Sequence, residues 1–434
     1  MRKRILLSIF LVITLAASSI SCGKNSSKSQ ENESQSQVTS LKLLNIKSEV
    51  NTQLQALADR YQKETGVTVE IIPVAAGVDA QATLKGYYLS DQMPDIIACE
   101  ASGFSNWEGL LMDMSDQGWA SKTDAAYVDS TYGTLGFPYT TEAIGLAYNA
   151  DILEKCGIDP KSITGPSSME EAFKKIDSQK SSLGLTAVVG YCAEPENLGW
   201  SSGNHLMGAY FDSGLSRTDT KYIDQLNNEV KLDENRFLGY ANMIGLFIDY
   251  SDPALLVNGT YGDQVHNFAA GKYAFITQGS WIGATLVGDE ASSYAAAGNF
   301  KVGMIPYAFE EGQDTILTSA PSWWAVPKEG QADAAMAFLQ WCSEDSAQQV
   351  MVEEAGFISP FKDCKYVASD PFASTISEYI SAGKTSSWHW MDMPENLGQK
   401  GFAFAFQSFA KGEVDAAGFT KKIQQIATDW FKKL

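Results

Sequence analysis

The fold is decided by residues 41–72, which read LKLLNIKSEVNTQLQALADRYQKETGVTVEII. The stretch opens with an apolar, strand-like run. Apolar residues then recur every three or four positions, which predicts a helix over 51–65 that ends at Gly66. Residues 67–71 alternate between apolar and polar, as in a second strand. Strand, helix and strand at this spacing predict a parallel sheet whose faces are covered by helices.

The same alternation continues outward along the chain. Further strands are predicted at 95–98, 144–148, 185–189, 273–277, 302–305 and 323–326. Further helices are predicted at 80–89, 169–180, 237–247, 332–342 and 417–434. Ser168 and Glu171 have the spacing of a capping box at the start of one of these helices. Roughly 395 residues lie beyond position 40, too many for one ordinary core, and they predict two lobes.

The amino terminus has the pattern of an export signal. Three basic residues, 2–4, precede the apolar run 5–17 and then small residues that lead to Cys22. The run is shorter than the ~20 residues that span a bilayer, so we interpret it as a secretory signal. The polar residues 23–40 are predicted to form a flexible tether. The lone cysteine resembles a bacterial lipobox, although Ser19 stands where leucine is usual. That resemblance implies cleavage before Cys22 and a diacylglyceryl group on its sulfur, which would hold the protein at the outer face of the cytoplasmic membrane.

Charge and cysteine content exclude several classes of protein. The chain carries 52 acidic and 32 basic residues, so its net charge is −20. Such a surface repels phosphate backbones, which argues against nucleic-acid partners. Besides Cys22 there are five cysteines, with no CxxC pair, and the three histidines are scattered. The sequence therefore predicts neither a disulfide scaffold nor a metal site, and no cofactor is expected.

Five segments in order resemble the extracellular solute-binding proteins of bacterial ABC importers, the family that includes maltose-binding protein. They are MPDII (93–97), FPYTTEA leading to LAYN (137–149), FAAGKYAF leading to GSW (268–281), AAMAFL (334–339) and GFISP (356–360). The resemblance implies the two-lobed periplasmic-binding-protein fold of type II, an α/β architecture of parallel and mixed sheets flanked by helices, with a hinge between the lobes. It implies a first lobe of 41–141 plus 314–360 and a second of 142–313 plus 361–434. It also implies a monomer that delivers its ligand to transmembrane permease subunits.

Aromatic content points to a carbohydrate ligand. The chain has ten tryptophans, 18 tyrosines and 21 phenylalanines, and several tryptophans stand beside Gly, Ser, Pro or another aromatic residue. A pyranose has a C–H face that packs on an indole and a rim of hydroxyls that needs carboxylates and amides. We therefore expect an aromatic-lined cleft that holds an oligosaccharide.

The resemblance also suggests which residues contact the ligand. Glu100 follows the MPDII strand, and Glu142, with Tyr139 before it, lies in the crossover motif. Glu196 and Trp200 lie in a loop similar to one that supplies second-lobe contacts. The remaining expected ligand contacts are aromatic: Trp281 of the GSW segment, Trp323, Trp388 and Trp390.

Three alternatives remain open at this stage. A binding protein for a cationic or other small solute, such as a polyamine or a peptide, also fits an acid-rich aromatic site. A secreted glycosidase needs aromatics and two carboxylates about 5–10 Å apart, which 52 acids do not exclude. Residues 199–203 match the nucleophile pattern G-x-S-x-G around Ser201, but the preceding segment is polar and contains proline. We expect no enzymatic activity.

Overall fold

The computed structural model describes residues 40–75 and 77–434. The predicted signal and Cys22 lie outside the described residues, as do positions 23–39 of the predicted tether. Within the described residues the strands, numbered β1 to β13 in chain order, are Ser40–Asn45, Thr68–Pro73, Ile96–Cys99, Tyr127–Asp129, Gly133–Pro138, Glu142–Ile144, Leu146–Asn149, Ala187–Gly190, Tyr273–Ile276, Val302–Ile305, Ile316–Ser319, Trp323–Ala325 and Thr385–Ser386.

Helices surround these strands. Within the described residues the α-helices, α1 to α16 in chain order, are Asn51–Thr65, Ala80–Leu89, Ala150–Lys155, Pro166–Asp177, Lys180–Leu183, Met207–Asp212, Lys221–Glu229, Glu234–Asp249, Tyr261–Ala269, Ile282–Val287, Ala291–Ala296, Ala332–Cys342, Asp345–Gln349, Ala373–Ser381, Ala403–Ala410 and Ala416–Phe431. Short 3₁₀ helices span Ser48–Val50, Ala101–Trp107, Ala120–Lys122, Pro160–Ser162 and His389–Asp392. Turns of π-helix span Ser201–Leu206, Val350–Glu354 and Leu397–Phe402.

The first sheet has the strand order β2-β1-β3-β12-β5-β4. β1 lies parallel to β2 and β3, whereas β12 is antiparallel to β3. Leu54 and Leu57 of α1 are buried with Leu43 of β1, so the helix covers the sheet with the face that its apolar period predicts. α1 ends at Gly66, whose φ of 82° is left-handed, as predicted. The parallel sheet predicted from residues 41–72 is confirmed.

The second sheet has the order β10-β7-β9-β8. β8 and β9 are parallel, and β7 is antiparallel to both of its neighbours, β9 and β10. Phe173 of α4 stacks on Phe275 of β9, with 5.1 Å between ring centroids, and also packs on Phe247 of α8. Helices thus bury their aromatic faces on this sheet as well, around a second large core.

A third, short sheet of β13, β11 and β6 lies where the chain passes between the other two. The sequence predicts one strand over 144–148, and this prediction is wrong. β6 ends at Ile144 and pairs with β11, whereas β7 begins at Leu146 and belongs to the second sheet. Gly145 separates them, and a Cβ there would come within 2.7 Å of the carbonyl oxygen of Ile305. The close backbone contact requires glycine at the point where the strand changes sheet.

The predicted capping box of α4 is also wrong. The helix begins at Pro166 after the cap residue Gly165, so Ser168 is the third helical residue. The Ser168 hydroxyl accepts hydrogen bonds from the backbone N–H groups of Gly165 and Thr164, at 3.2 and 3.1 Å. Proline is favoured at the first helical position because its φ is already helical, and it moves the start of the helix upstream of Ser168.

Three further observations concern the cysteines, the helices and the acidic and histidine side chains of the described residues. Each of the five cysteines in the described ranges is a free thiol, and four of them are buried. Among residues 40–75 and 77–434, no helix combines the length and the apolar character that a membrane span requires. The same residues contain no cluster of three or more histidine, cysteine or acidic side chains placed to bind a metal ion.

Candidate ligand-binding cavity

A cavity of about 230 Å³ lies between the first and second sheets. On one side it is lined by the segments that follow β1, β2 and β3, where the parallel strands end. On the other side it is lined by the π-helical turn Ser201–Leu206, the segment after β9, and residues 388–399. The carboxyl ends of parallel strands are the usual place for a ligand crevice in α/β folds.

The side of the cavity next to the first sheet is lined by charged side chains. Lys47, two residues after the end of β1, forms ion pairs with Glu49, at 2.7 Å, and with Glu142 of β6. Asn45 fixes the backbone of Lys47, because its side-chain oxygen accepts from the Lys47 N–H at 3.0 Å and its amide donates to the Lys47 carbonyl at 2.7 Å. Burial opposes the charge of Lys47, but Glu142 and Glu49 outweigh that effect and hold the pKa of its ammonium well above the usual value. The lysine is therefore charged, and two carboxylates compensate it.

Two further acids line the same side. Asp79 caps α2 by accepting from the N–H of Ala82 at 2.9 Å, and it also pairs with Lys400. The carboxyl group of Glu100 is exposed to the cavity yet surrounded by protein. Poor solvation, reinforced by the charge of Asp79, raises the pKa of Glu100 to about 7. Glu100 therefore exchanges between acid and carboxylate near neutral pH.

The opposite wall is aromatic. Four tryptophan rings surround the imidazole of His205, with ring centroids 4.7–5.8 Å from it; they belong to Trp200, Trp281, Trp388 and Trp390. Tyr261 extends this wall beside Trp200, at 5.9 Å. Burial, with a smaller effect from Lys47, lowers the pKa of His205 to about 3, so its ring is neutral. The wall is thus apolar in character although it contains a histidine.

Some polar atoms in this wall have no hydrogen-bond partner among the described residues. They are Nε1 of Trp388, Nε1 of Trp390 and Nδ1 of His205. An unsatisfied buried polar group costs about 1–3 kcal/mol. By contrast, the indole of Trp281 donates to Gln278 at 3.1 Å. These atoms are inaccessible to solvent, so each is an unsatisfied polar group within the wall rather than a contact point presented to a ligand.

The structure brings together six of the nine residues expected to contact a ligand. Those that line the cavity are Glu100, Glu142, Trp200, Trp281, Trp388 and Trp390. Glu196 does not line it and is exposed. The neighbouring Glu194 carboxylate accepts from the backbone N–H groups of Glu196, Asn197 and Leu198, at 2.8–3.2 Å. This turn directs Glu196 into solvent.

Tyr139 and Trp323 also lie away from the cavity. The Tyr139 ring is buried against Trp324, with 4.7 Å between centroids, and its hydroxyl bonds to that of Ser322. The indole of Trp323 donates to the carbonyl oxygen of Ala125 at 2.7 Å. Both side chains therefore serve packing around the first sheet rather than the cavity wall.

Several lining residues were not predicted from the sequence. They are Lys47, Glu49, Asp79, His205, Tyr261 and Glu395. Lys47 follows β1, and Glu100 follows β3. Glu100 was expected to contact the ligand because it follows a strand, and the same reasoning applies to Lys47. No motif in the sequence indicates that His205 contacts a ligand. Its position among four indole rings depends on chain segments that are distant from one another in the sequence.

A family model of bacterial extracellular solute-binding proteins matches residues 56–376. The chain belongs to this family. Among curated proteins, this solute-binding protein is 24% identical over 240 residues to the sn-glycerol-3-phosphate-binding periplasmic protein UgpB of Agrobacterium fabrum. The alignment covers 54% of the chain and 50% of UgpB, so the chain spans about half the length of this relative.

Solved structures of similar fold include several solute-binding proteins. RafE of Streptococcus pneumoniae, in complex with raffinose, is 17% identical with a TM-score of 0.72 over 90% of this chain and 99% of RafE. The GacH receptor of Streptomyces glaucescens is 18% identical, with a TM-score of 0.69 over 91% and 98%. A Bacillus licheniformis sugar transporter protein in complex with stachyose is 14% identical, with a TM-score of 0.68 over 89% and 98%. These likenesses confirm the predicted two-lobed α/β fold.

Proposed function

We propose that this solute-binding protein captures a carbohydrate, specifically an oligosaccharide, in the cavity between its two large sheets. The observation that carries the proposal is the pairing of an aromatic wall with a carboxylate wall across one cavity. Indole and phenol rings from Trp200, Tyr261 and Trp281 stand on one side, and Glu100 and Glu142 stand on the other. A pyranose needs both, because its C–H face packs on rings and its hydroxyls donate to carboxylates.

The solved structures support the carbohydrate class. Structures have been solved of RafE in complex with raffinose, of the Bacillus licheniformis protein in complex with stachyose, and of GacH in complex with acarbose. UgpB is instead named for glycerol 3-phosphate. Among the described lining residues, the charge of Lys47 is already compensated by Glu49 and Glu142. A phosphate group needs donors that are free to pair with it, so this wall favours a neutral ligand over an anionic one.

Two lobes that close by a hinge explain how such a ligand is held. We propose the lobe boundaries inferred from the sequence, 41–141 plus 314–360 and 142–313 plus 361–434. In support, the strands of the first sheet fall in the first set, except for Ser40 at the start of β1, and every strand of the second sheet falls in the second set. The third sheet, in which β11 pairs with β6, joins the two sets. A ligand that contacts both walls stabilises the closed arrangement.

The protein then hands its ligand to a membrane permease. Family membership indicates an exported protein. We further propose that Cys22 carries the lipid anchor and that the protein is a monomer. The tether predicted over 23–40 is shortened to 23–39 in this proposal, because Ser40 already belongs to β1. A tether that keeps the binding protein near its permease raises the local concentration of loaded protein.

We also propose that no chemistry occurs in the cavity. The nucleophile pattern around Ser201 does not form an exposed elbow, because the Ser201 side chain is buried and its hydroxyl accepts from Gln278 at 3.1 Å. Incubation with oligosaccharides, followed by chromatography, should return them intact. New reducing ends would support the glycosidase alternative instead.

The experiment that tests the ligand class is a thermal-shift screen of the purified protein. The panel contains raffinose, stachyose, maltotriose, chitotriose and xylotriose, with glycerol 3-phosphate and putrescine as non-sugar comparisons. A ligand at about 100 times its dissociation constant adds roughly 2.7 kcal/mol to the free energy of unfolding, which gives a clear rise in Tm. A rise with putrescine or glycerol 3-phosphate, and with no sugar, would overturn the carbohydrate proposal.

A further inference from the structure

The segment Trp388–Trp390 supplies two of the tryptophans of the aromatic wall, and it lies against one face of α6. Gly208 and Asp212 stand four residues apart on that helix, which places them on the same face. A Cβ at Gly208 would come within 2.7 Å of Cδ1 of Trp390, so the glycine makes room for the indole. One turn further along, Asp212 meets His389, the residue between the two tryptophans.

Asp212 binds His389 through both carboxylate oxygens. Oδ2 accepts from the backbone N–H of His389 at 2.9 Å, and Oδ1 bonds to its ring Nδ1 at 2.5 Å. Asp212 is fully buried, so water does not compete for these contacts. The carboxylate therefore fixes both the backbone and the side chain of one residue, and with them the direction in which the flanking side chains leave the chain.

The tryptophans have no polar contacts of their own that could do the same. Nε1 of Trp388 and Nε1 of Trp390 both lack a hydrogen-bond partner among the described residues, although both rings are almost completely buried. Their orientation depends on ring packing around His205 and on the backbone between them. Between the two tryptophans, the Asp212 carboxylate binds that backbone directly, at the N–H of His389.

The same part of the second lobe restrains both ends of the segment. Arg217 donates to the carbonyl oxygen of Ser386 at 3.0 Å, and Asn227 donates to that of Asp392 at 2.8 Å. These two contacts fix the backbone on either side of Trp388–Trp390. Asp212 acts at its centre, between the two indoles.

We propose that Asp212, acting through His389, is a positioning residue of the ligand site, which sets the orientation of Trp388 and Trp390. The inference rests on the proposed function for its consequence, ligand affinity. The orientation itself is a property of the unliganded protein and can be measured without any ligand.

The first measurement is made on unliganded protein by nuclear magnetic resonance. The indole N–H signals of Trp388 and Trp390 are assigned with Trp388→Phe and Trp390→Phe variants. Asp212→Ala should shift or broaden both signals, because the backbone between them is released. Asp212→Asn keeps the size of the side chain and one acceptor oxygen, so its spectrum should lie between those of Asp212→Ala and the parent. If the alanine variant folds poorly, the asparagine variant provides the test. Unchanged signals in both variants would overturn the proposal.

A matched control is available in the same lobe. His266 also pairs with an acid, Glu290, at 2.8 Å, but the pair does not line the cavity. His266→Ala should leave both indole signals unchanged, whereas His389→Ala should reproduce the effect of Asp212→Ala. Equal responses to the two histidine variants would point to a general loss of stability and contradict a positioning role.

The second measurement is affinity for whichever sugar of the thermal-shift panel binds the parent. Asp212→Ala should weaken it about tenfold, equivalent to about 1.4 kcal/mol, with partial recovery in Asp212→Asn. If no sugar binds the parent, the proposed function fails, but the indole N–H signals still test whether Asp212 positions the two tryptophans. If sugar binds Asp212→Ala as tightly as the parent, the function stands and the positioning role is wrong.

Discussion

Lys400 forms an ion pair with Asp79 at the exposed rim of the cavity, with 2.5 Å between Nζ and Oδ2. Asp79 follows β2 of the first sheet, and Lys400 lies in the π-helical turn Leu397–Phe402 on the opposite side. Burial works against the Asp79 charge, but Lys400 and the backbone N–H groups at the start of α2 hold the pKa of that carboxyl below its usual value. The pair therefore joins the two walls in the unliganded protein.

Removing this pair should weaken the closed arrangement modestly. Exposed ion pairs contribute about 0–1 kcal/mol, so Lys400→Ala should raise the dissociation constant of the bound sugar by up to about fivefold in titration calorimetry. The difference from the parent should shrink at high salt, where the Debye length falls to about 3 Å. Lys432→Ala, which removes a pair with Asp429 on the terminal helix, is the control and should not change affinity. Equal affinities of Lys400→Ala and the parent at low salt would show that the pair does not assist closure.

Trp281 is the ring most directly fixed in the aromatic wall, because its indole N–H donates to Gln278 and its ring lies 4.7 Å from that of His205. Trp281→Ala should weaken sugar binding about 10- to 100-fold, as for a central aromatic contact worth about 1.4–2.8 kcal/mol. Trp430→Ala, on α16 and away from the cavity, is the control. A Trp281→Ala protein with parental affinity would remove this ring from the ligand platform.

Glu100 should make sugar binding depend on pH. Poor solvation within the cavity and the charge of Asp79 raise its pKa to about 7, so it is mostly a carboxylate above that pH and mostly a carboxylic acid below it. A ligand whose hydroxyls donate to the carboxylate binds the deprotonated form better. Affinity should therefore fall as pH drops from 8 to 6, by at most about tenfold per pH unit for a single proton.

Titration calorimetry at several pH values checks this expectation. Glu100→Gln should flatten the profile, because glutamine does not titrate. Glu196→Gln, which alters an exposed acid outside the cavity, should leave the profile as in the parent. A profile that is the same in the parent and in Glu100→Gln would assign the pH dependence to another group.

Gly203 allows two π-helical turns to approach closely beside the cavity. A Cβ at Gly203 would overlap the carbonyl oxygen of Gly398. Gly203→Ala should therefore lower the free energy of unfolding by about 1–3 kcal/mol, as overpacking does. It should also weaken sugar binding, because the adjoining Asn204 and His205 line the cavity. Chemical denaturation measures the first effect and calorimetry the second.

Gly262 provides the matched comparison. It lies in the first turn of α9, and a Cβ there would meet only the Thr260 hydroxyl at 3.7 Å. Gly262→Ala should therefore be neutral or stabilise the protein by about 0.5–1 kcal/mol, since alanine is the better helix former. Equal destabilisation by the two substitutions would show that the close approach at Gly203 is not the cause.

Much of the fold can be predicted from the sequence because its units are local. Helix α1 and its stop at Gly66 need only the apolar period of their own residues and one left-handed position. The change of sheet at Gly145 is different, since it depends on Met304 and Ile305 of a strand far along the chain. The start of α4 is a competition between two local signals, in which Pro166 outweighs the spacing of Ser168.

The cavity is less predictable for a related reason. Tryptophans beside Gly, Ser, Pro or another aromatic residue were expected to line a cleft, and Trp281 and Trp388 do so. Trp323 satisfies the same criterion, yet it belongs to β12 of the first sheet and does not line the cavity. Its indole N–H instead donates to the carbonyl oxygen of Ala125. His205 carries no local signal at all, since its environment is assembled from segments around 200, 281 and 388–390. Local patterns select residue types, whereas tertiary packing decides which of them face the ligand.

The Asp212–His389 pair should also affect the pH dependence of stability. The hydrogen bond to Asp212 outweighs burial and raises the pKa of His389 above its usual value, while Asp392 adds to this effect and Arg217 opposes it. Because the folded protein binds this proton more tightly than the unfolded chain, its contribution is complete below about pH 6.5, the unfolded value, and is lost as pH rises through the folded pKa. Burial raises the pKa of Asp212 to about 6, so the carboxylate partner of His389 is mostly ionised only above that pH. The free energy of unfolding of the parent, minus that of His389→Asn, should therefore be larger at pH 7 than at pH 8.5. Urea denaturation at the two pH values measures it, and a difference that grows with pH would show that His389 is neutral in the folded protein.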